Sequence, residues 1–347
     1  MTNDMTKGSP IKLILSFMVP LLIGNIFQQF YNMADTIIVG RTISVEALAA
    51  VGATGSISFL IVGFVQGVTS GFAVITAQRF GAGSENGVRR SVATSIILGI
   101  AVTIVMTAIS VLAARPLLEI MKTPSDIIDD SYNYIIVIFE GIAAAVFFNL
   151  FSSILRSLGD SKTPLVFLII ASIINIILDF VFILTFKMGV AGAGWATVIA
   201  QFISGILCFV YSLKKFPILR LTKHDWKFSW RFAWQHLAVG LPMAFQFSIT
   251  AIGTMVIQSA LNSLGSTAVA AFTAGSKIDQ FATQPLASLG VAVATYTAQN
   301  YGARELERIK KGVTGAAIIA TVCGIVGGFV VITFAKPLVA LFVGNGQ

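Results

Sequence analysis

Long uncharged stretches alternate with short basic segments along the whole chain. The stretches 47–78, 91–114, 188–213 and 312–335 contain no Asp, Glu, Lys or Arg. Since about 20 residues of apolar helix cross the hydrocarbon of a bilayer, each stretch is long enough to span it. The stretches are continuous and do not alternate between polar and apolar residues, which disfavours a β-barrel. The pattern therefore predicts an all-α fold, a polytopic membrane helical bundle.

Applied to the rest of the chain, the same pattern predicts about nine transmembrane helices. They are expected at 11–39, 45–78, 91–114, 131–155, 163–186, 190–213, 232–262, 268–299 and 312–343. The first apolar stretch, from Leu13 to Ala34, is longer than the core of a signal peptide, and no small-residue cleavage site follows it before the next span. We therefore expect it to remain as a membrane anchor.

Composition agrees with this class of protein, and the placement of charge predicts an orientation. The chain is 56% hydrophobic and 11% charged, whereas about 25% of the residues in soluble domains are charged. The N-terminus and the loops after the second, fourth, sixth and eighth spans hold 17 of the 23 Lys and Arg residues. By the positive-inside rule, we expect a cytoplasmic N-terminus. We also expect a multi-pass protein of the inner (cytoplasmic) membrane. The net charge of +8 is thus a topology signal, and no nucleic-acid partner is expected.

One motif occurs twice, as TAQRFGAG at 76–83 and as TAQNYGAR at 297–304. The same offset of 221 residues aligns Arg89-Arg90 with Lys310-Lys311 and ARPLL at 114–118 with AKPLV at 335–339. Self-similarity at a fixed period indicates a duplicated unit. We interpret the motif itself as a helix C-terminus capped by glycine and followed by a basic loop.

The repeat predicts two six-helix lobes related by a parallel repeat, because an even number of spans gives both copies the same orientation. The first lobe is residues 1–213, the cytoplasmic linker 214–231, and the second lobe 232–347 with its first three helices only. Nothing in the chain corresponds to residues 131–213 of the first copy. The second lobe is thus expected to be truncated, in a fragment of a twelve-helix chain of about 430 to 450 residues that transports poorly by itself.

Several segments together resemble one transporter family. They are SFMVPLLIGNIFQQFYNMADTIIVG at 16–40, TAQRFGAG at 76–83, LRSLGDSKTPL at 155–165, NIILDFVFI at 175–183, GVAGAGWATVIAQ at 189–201 and AAFTAGSKIDQFATQPLASLGVAVATYTAQNYGA at 270–303. The chain resembles the multidrug and toxic compound extrusion (MATE) family, in a bacterial branch closer to the DinF-like group than to the NorM group. The resemblance implies secondary antiport, in which entering H⁺ or Na⁺ drives amphipathic, often cationic compounds out. It implies no cofactor beyond the coupling ion.

Four polar residues fall within predicted spans of the first lobe at a similar depth in the outer half: Asp35, Asn175, Asp179 and Thr197. Asn175 and Asp179 are four residues apart and so share a helix face. A charged residue at mid-helix costs about 2.5–3.5 kcal/mol on insertion scales, so it indicates a functional site. The alternative is that these groups join helices by hydrogen bonds worth about 1 kcal/mol each. The resemblance implies a cation site, with H⁺ or Na⁺ at Asp35 and Asp179.

Other residues are secondary candidates. Glu140 and the Lys277/Asp279 pair lie within the fourth and eighth predicted spans. The seventh span has no acidic residue, whereas the NorM-like branch carries one there, which disfavours a cation site in the second lobe. Pro20 lies fifteen residues before Asp35 and removes a helical hydrogen bond, so it is a hinge candidate by family resemblance.

A flippase and a membrane enzyme are the alternatives to an exporter. A flippase for a lipid-linked oligosaccharide or lipid would need basic residues for pyrophosphate in its cleft, and the predicted spans have almost none. A membrane enzyme is disfavoured, because the chain has no HExxH, CxxC or GxSxG motif. We expect a monomer with a small-molecule substrate. Aromatic side chains that could stack on a planar drug are Phe27, Phe30, Tyr31, Phe147, Phe148 and Phe151.

Overall fold

The computed structural model describes residues 4–262 and 266–333, and in these ranges it contains eleven α-helices and no β-strand. The first-lobe helices are α1 (Pro10–Thr42), α2 (Val45–Ala53), α3 (Gly55–Gly81), α4 (Glu85–Ile120), α5 (Ile128–Glu140), α6 (Ile142–Ser157), α7 (Lys162–Phe180) and α8 (Gly189–Lys215). The helices that follow are α9 (Trp230–Asn262), α10 (Ser266–Gly302) and α11 (Leu306–Thr333). A π-helical turn, Val181–Thr185, extends α7. The all-helical expectation is confirmed.

Seven helices of the described chain are long and apolar enough to cross a membrane, and the pair α5–α6, counted as one bent span, makes eight. The helix α10 is outside this set, and part of the predicted span 312–343 lies outside the described residues. The count of nine spans and the truncated second lobe therefore stay predictions.

Two predicted spans are interrupted in the structure. The span 45–78 is divided into α2 and α3 at Thr54, whose hydroxyl donates to the carbonyl oxygen of Val51 at 2.7 Å. The span 131–155 bends by 48° between α5 and α6. At that bend, the side chain of Val198 on α8 occupies the place where a Cβ on Gly141 would stand. Hydropathy alone does not show such breaks, because mainly apolar residues lie on both sides of each break.

The first helix of each predicted lobe packs against helices of the other half of the chain. In α1, Ile14 and Phe17 form a buried cluster with Tyr296 of α10 and Ala316 of α11. In α9, Ala233 and Ala244 pack with residues of α3 and α4. Small residues bring α3 and α9 into backbone contact, since a Cβ on Gly67 would lie 2.5 Å from the Cα of Ala244. Close approach over small residues is the usual way for helices to associate in membranes.

The duplicated motif forms a reciprocal contact between the ends of α3 and α10. A Cβ on Gly81 would overlap the carbonyl oxygen of Gln299, and a Cβ on Gly302 would overlap the carbonyl oxygen of Gln78. Both copies end their helices, as the sequence predicted. These two glycines are not the capping residues, however. The last residue of each motif has the left-handed backbone conformation that completes the helix end. The glycines are therefore needed for the crossing of the two helices.

The left-handed residues of the motif complete matching helix ends. They are Gly83, with φ of 68°, and Arg304, with φ of 62°. In both copies the following amide donates five residues back, from Ser84 to the carbonyl of Arg79 at 3.1 Å and from Glu305 to that of Asn300 at 2.9 Å. This is the Schellman arrangement, which satisfies the last carbonyls of a helix. We call this end of the bundle, where the N-terminal segment and the α3–α4, α6–α7, α8–α9 and α10–α11 connections lie, the basic end.

Candidate functional site

Helices α1, α7 and α8 bring all four predicted polar residues of the first lobe together. Asn175 and Asp179 of α7 are both 0% exposed, and Asp35 of α1 is 8% exposed. The Asn175 amide donates to Thr197 Oγ1 on α8 at 3.3 Å. The carboxyl groups of Asp35 and Asp179 are close enough to interact electrostatically with each other. One buried polar cluster thus joins three helices.

The cluster has more oxygen acceptors than donors. Four buried oxygen atoms find no hydrogen-bond donor: Oδ1 of Asp35, both carboxylate oxygens of Asp179 and Oδ1 of Asn175. No ion pair among the described residues includes Asp35 or Asp179. Two facing carboxylates in an apolar interior repel each other unless a proton or a cation lies between them. The site therefore has the chemistry of a receptor for a proton or a hard cation, which prefers oxygen ligands.

Two tyrosines extend the cluster. The hydroxyl of Tyr31 lies 3.5 Å from Thr197 Oγ1, and Tyr134 of α5 interacts electrostatically with Asp35 and Asp179. Tyr31 precedes Asp35 by four residues, so the two share a face of α1. This spacing is the same signal that paired Asn175 with Asp179, and it could have identified Tyr31 as a site residue. Tyr134 has no such local signal, because only the packing of α5 brings it near.

The secondary candidates lie apart from this cluster. Glu140 is the exposed last residue of α5, and Asp279 is exposed on α10; neither hydrogen-bonds to the four residues above. The side chain of Lys277 lies outside the described residues. Pro20 is buried within α1, which continues through it, and its role as a hinge stays a prediction.

The aromatic residues proposed for drug stacking differ in exposure, and Tyr31 and Phe148 are half-buried. Phe147 and Phe151 pack edge to face in the first-lobe core, with ring centroids 5.1 Å apart. Phe27 and Phe30 are exposed, and Phe30 lies 6.1 Å from the ring of Phe281 on α10. A role of these rings in drug stacking stays a prediction.

The sequence and the fold of the chain are similar to those of known proteins. The family described as MatE matches residues 20–181 and 242–347. The chain is 28% identical over 98% of its length to the probable multidrug resistance protein YoeA of Bacillus subtilis and 29% identical over 99% to YpnP of the same organism. It covers 75% and 76% of those two relatives. A solved structure of a MOP superfamily transporter from Pyrococcus furiosus matches 99% of the chain and 76% of its own, with a TM-score of 0.91 and 27% identity.

Proposed function

Since the chain belongs to the MatE family of multidrug efflux transporters, we propose that it is a secondary antiporter that exports amphipathic or cationic compounds in exchange for H⁺ or Na⁺. The observation that carries this proposal is the buried pair Asp35 and Asp179, which has neither a basic partner nor a full set of donors. Such a pair is costly in a membrane helix bundle unless a cation is bound there during part of a cycle.

The pair supplies a means of coupling. An entering cation that neutralises the carboxylates gains about 2.3 kcal/mol per 100 mV when one charge moves across the membrane. A substrate that binds only after the cation leaves would then be driven outward. The flippase alternative needs positive charge in the cleft for pyrophosphate. It is disfavoured, because the apolar stretches 47–78, 91–114, 188–213 and 312–335 contain no Lys or Arg.

The coupling ion is tested by imposing one gradient at a time. We expect dye transport in proteoliposomes, by a twelve-helix version of the protein that completes the predicted second lobe, to follow either a pH gradient or a Na⁺ gradient, because a proton and Na⁺ both fit an oxygen-rich pocket. The measurement is the initial rate of ethidium movement with each gradient at matched membrane potential. Empty liposomes are the control. If the rate depends on neither gradient while the protein retains its helical circular dichroism, cation-coupled antiport is excluded.

We also propose that the basic end faces the cytoplasm, as the distribution of Lys and Arg indicates. Lys223 precedes α9 at the basic end, and Lys187 precedes α8 at the opposite end; both side chains are exposed. In a chain with Cys208 and Cys323 replaced by alanine, Lys187→Cys is expected to react with an impermeant maleimide on intact cells, and Lys223→Cys only after lysis. The reverse pattern would invert the orientation.

A further inference from the structure

A pocket at the basic end is not used by the proposed transport function. It lies between the α3–α4 turn and the segment before α9, and its volume is about 710 Å³. Its charged and polar lining includes Arg79, Arg90, His224, Asp225 and Lys227.

The positive charges in this pocket are not neutralised by carboxylates. The guanidinium groups of Arg79 and Arg90 both lie over the ring of Phe232, at 5.3 Å and 5.2 Å from its centroid. Arg79 also donates to Oε1 of Gln235 at 3.1 Å. Within residues 4–262 and 266–333, Arg79, Arg90 and Lys227 form no ion pair. Two like charges held about one ring by cation–π contacts create a strong local preference for an anion.

The single carboxylate in the lining, that of Asp225, already has hydrogen-bond and ionic partners. Asp225 Oδ2 accepts hydrogen bonds from the amide and the hydroxyl of Thr222, each at 2.7 Å, and lies 3.9 Å from Nε of Arg89. Partial desolvation acts to raise the pKa of Asp225, but the hydrogen bonds from Thr222 and the charge of Arg89 lower it below its usual value. The carboxylate therefore stays ionised and directed at Thr222 and Arg89, and it does not neutralise the other basic groups.

The internal repeat provides a comparison within the same chain. The position that corresponds to Gly87 in the second lobe is Arg308, 221 residues later. Every guanidinium nitrogen of Arg308 is engaged: Nε donates to Oδ1 of Asn300 at 2.9 Å, Nη1 to the carbonyl of Gly8 at 2.9 Å and Nη2 to that of Met5 at 3.2 Å. An arginine and its protein partners thus fill the second-lobe location. In the first lobe, glycine at this position contributes no side chain to the lining of the pocket.

Exposed aromatic residues alternate in the sequence with residues of the pocket, as is typical of a segment at the level of lipid headgroups. Trp226, Phe228, Trp230 and Trp234 are 44%, 51%, 65% and 57% exposed. Tryptophan is enriched at membrane–water interfaces, where an amphipathic ring has both an apolar and a polar neighbour. The pocket opens where α9 begins, within this aromatic belt.

We propose that this pocket binds a phosphate group, the chemistry that an anionic phospholipid headgroup presents at a membrane surface. Arginine suits such a ligand, because its planar guanidinium donates two parallel hydrogen bonds to phosphate oxygens. Basic pockets between helices at the cytoplasmic side of a membrane commonly hold anionic headgroups. Lys227 adds a mobile point charge at the rim, where its side chain is exposed.

The experiment uses the full chain, delipidated in a neutral detergent. Binding is followed by native mass spectrometry and by the shift of the thermal unfolding midpoint on addition of phosphatidylglycerol, phosphatidylcholine or inorganic phosphate. We expect phosphatidylglycerol to be retained and to raise the midpoint, and phosphatidylcholine to do neither. Stabilisation by inorganic phosphate that equals that of phosphatidylglycerol would support the phosphate site and assign it to a free anion.

Substitutions distinguish lipid binding in this pocket from non-specific attraction of anionic lipid to the basic loops. Arg90→Gln and Lys227→Gln are each expected to weaken phosphatidylglycerol binding about tenfold, as expected for the loss of one charge-assisted contact. Lys311→Gln removes the repeat counterpart of Arg90 and is the matched control, expected to leave binding unchanged. Lys227 is exposed and unpaired, so its variant keeps the test valid if Arg90→Gln does not fold. Equal binding by the unaltered chain, Lys227→Gln and Lys311→Gln would overturn the proposal.

Discussion

In a twelve-helix version of the protein, replacement of Asp179 by asparagine is expected to reduce ion-coupled export to background. The change keeps the shape of the side chain but removes one of the two facing carboxylates that have no basic partner. A site that no longer carries one charge across the membrane loses about 2.3 kcal/mol per 100 mV, which corresponds to about a fiftyfold concentration ratio. Folding is expected to be unaffected or improved, because the new amide can donate to an oxygen that has no donor in the native cluster.

The measurement is the initial rate of ethidium export from energised cells, with the amount of protein in the membrane determined in parallel. Asp279→Asn is the matched control, since Asp279 is exposed on α10 and makes no contact with the cluster through a side-chain hydrogen bond. Asp35→Asn is expected to behave as Asp179→Asn does. Normal export by both Asp35→Asn and Asp179→Asn would place the cation elsewhere and make Glu140 or Asp279 the next candidate.

Gly302→Ala is expected to destabilise the contact between the lobes at the basic end. The added methyl group would overlap the backbone carbonyl of Gln78, which cannot turn away as a flexible side chain could. Overpacking of this kind costs about 1–3 kcal/mol or more, so the thermal unfolding midpoint should fall by several degrees. Gly290→Ala on the same helix is the control, because a Cβ there meets nothing within 4 Å. At Gly290, alanine is expected to be neutral or to stabilise the helix by up to about 1 kcal/mol.

The repeat allows a second test of the same contact. Gly81→Ala is expected to resemble Gly302→Ala, since a Cβ on Gly81 would overlap the carbonyl of Gln299. The double variant should lose less than the sum of the two single losses, because either methyl group alone already separates the helices. Purified variants are compared in one detergent by the temperature dependence of their circular dichroism. If Gly302→Ala is as stable as Gly290→Ala, the two helices can move apart to accommodate the methyl group at little cost, and the prediction is wrong.

The sequence alone determined the features that depend on local periodicity. Apolar stretches longer than about 20 residues predict membrane helices, because the thickness of the bilayer and the rise of a helix are both constant. The four-residue spacing of Asn175 and Asp179 placed them on one face, and the structure joins that face to Asp35 and Thr197. The duplication was visible because both copies of the motif retain the same letters at a fixed offset.

Only the tertiary structure decided what those residues contact. That Asp35 and Asp179 face each other without a basic partner follows from the packing of α1 on α7, which are far apart in sequence. The bend at Gly141 lies against the side chain of Val198 on α8, which leaves no room for a Cβ there. Gly81 and Gly302 looked like caps, because a local pattern cannot show that a second helix crosses at the end of the first. The crossing is made by backbone atoms of two copies 221 residues apart, and a contact of that kind has no local signature in the chain.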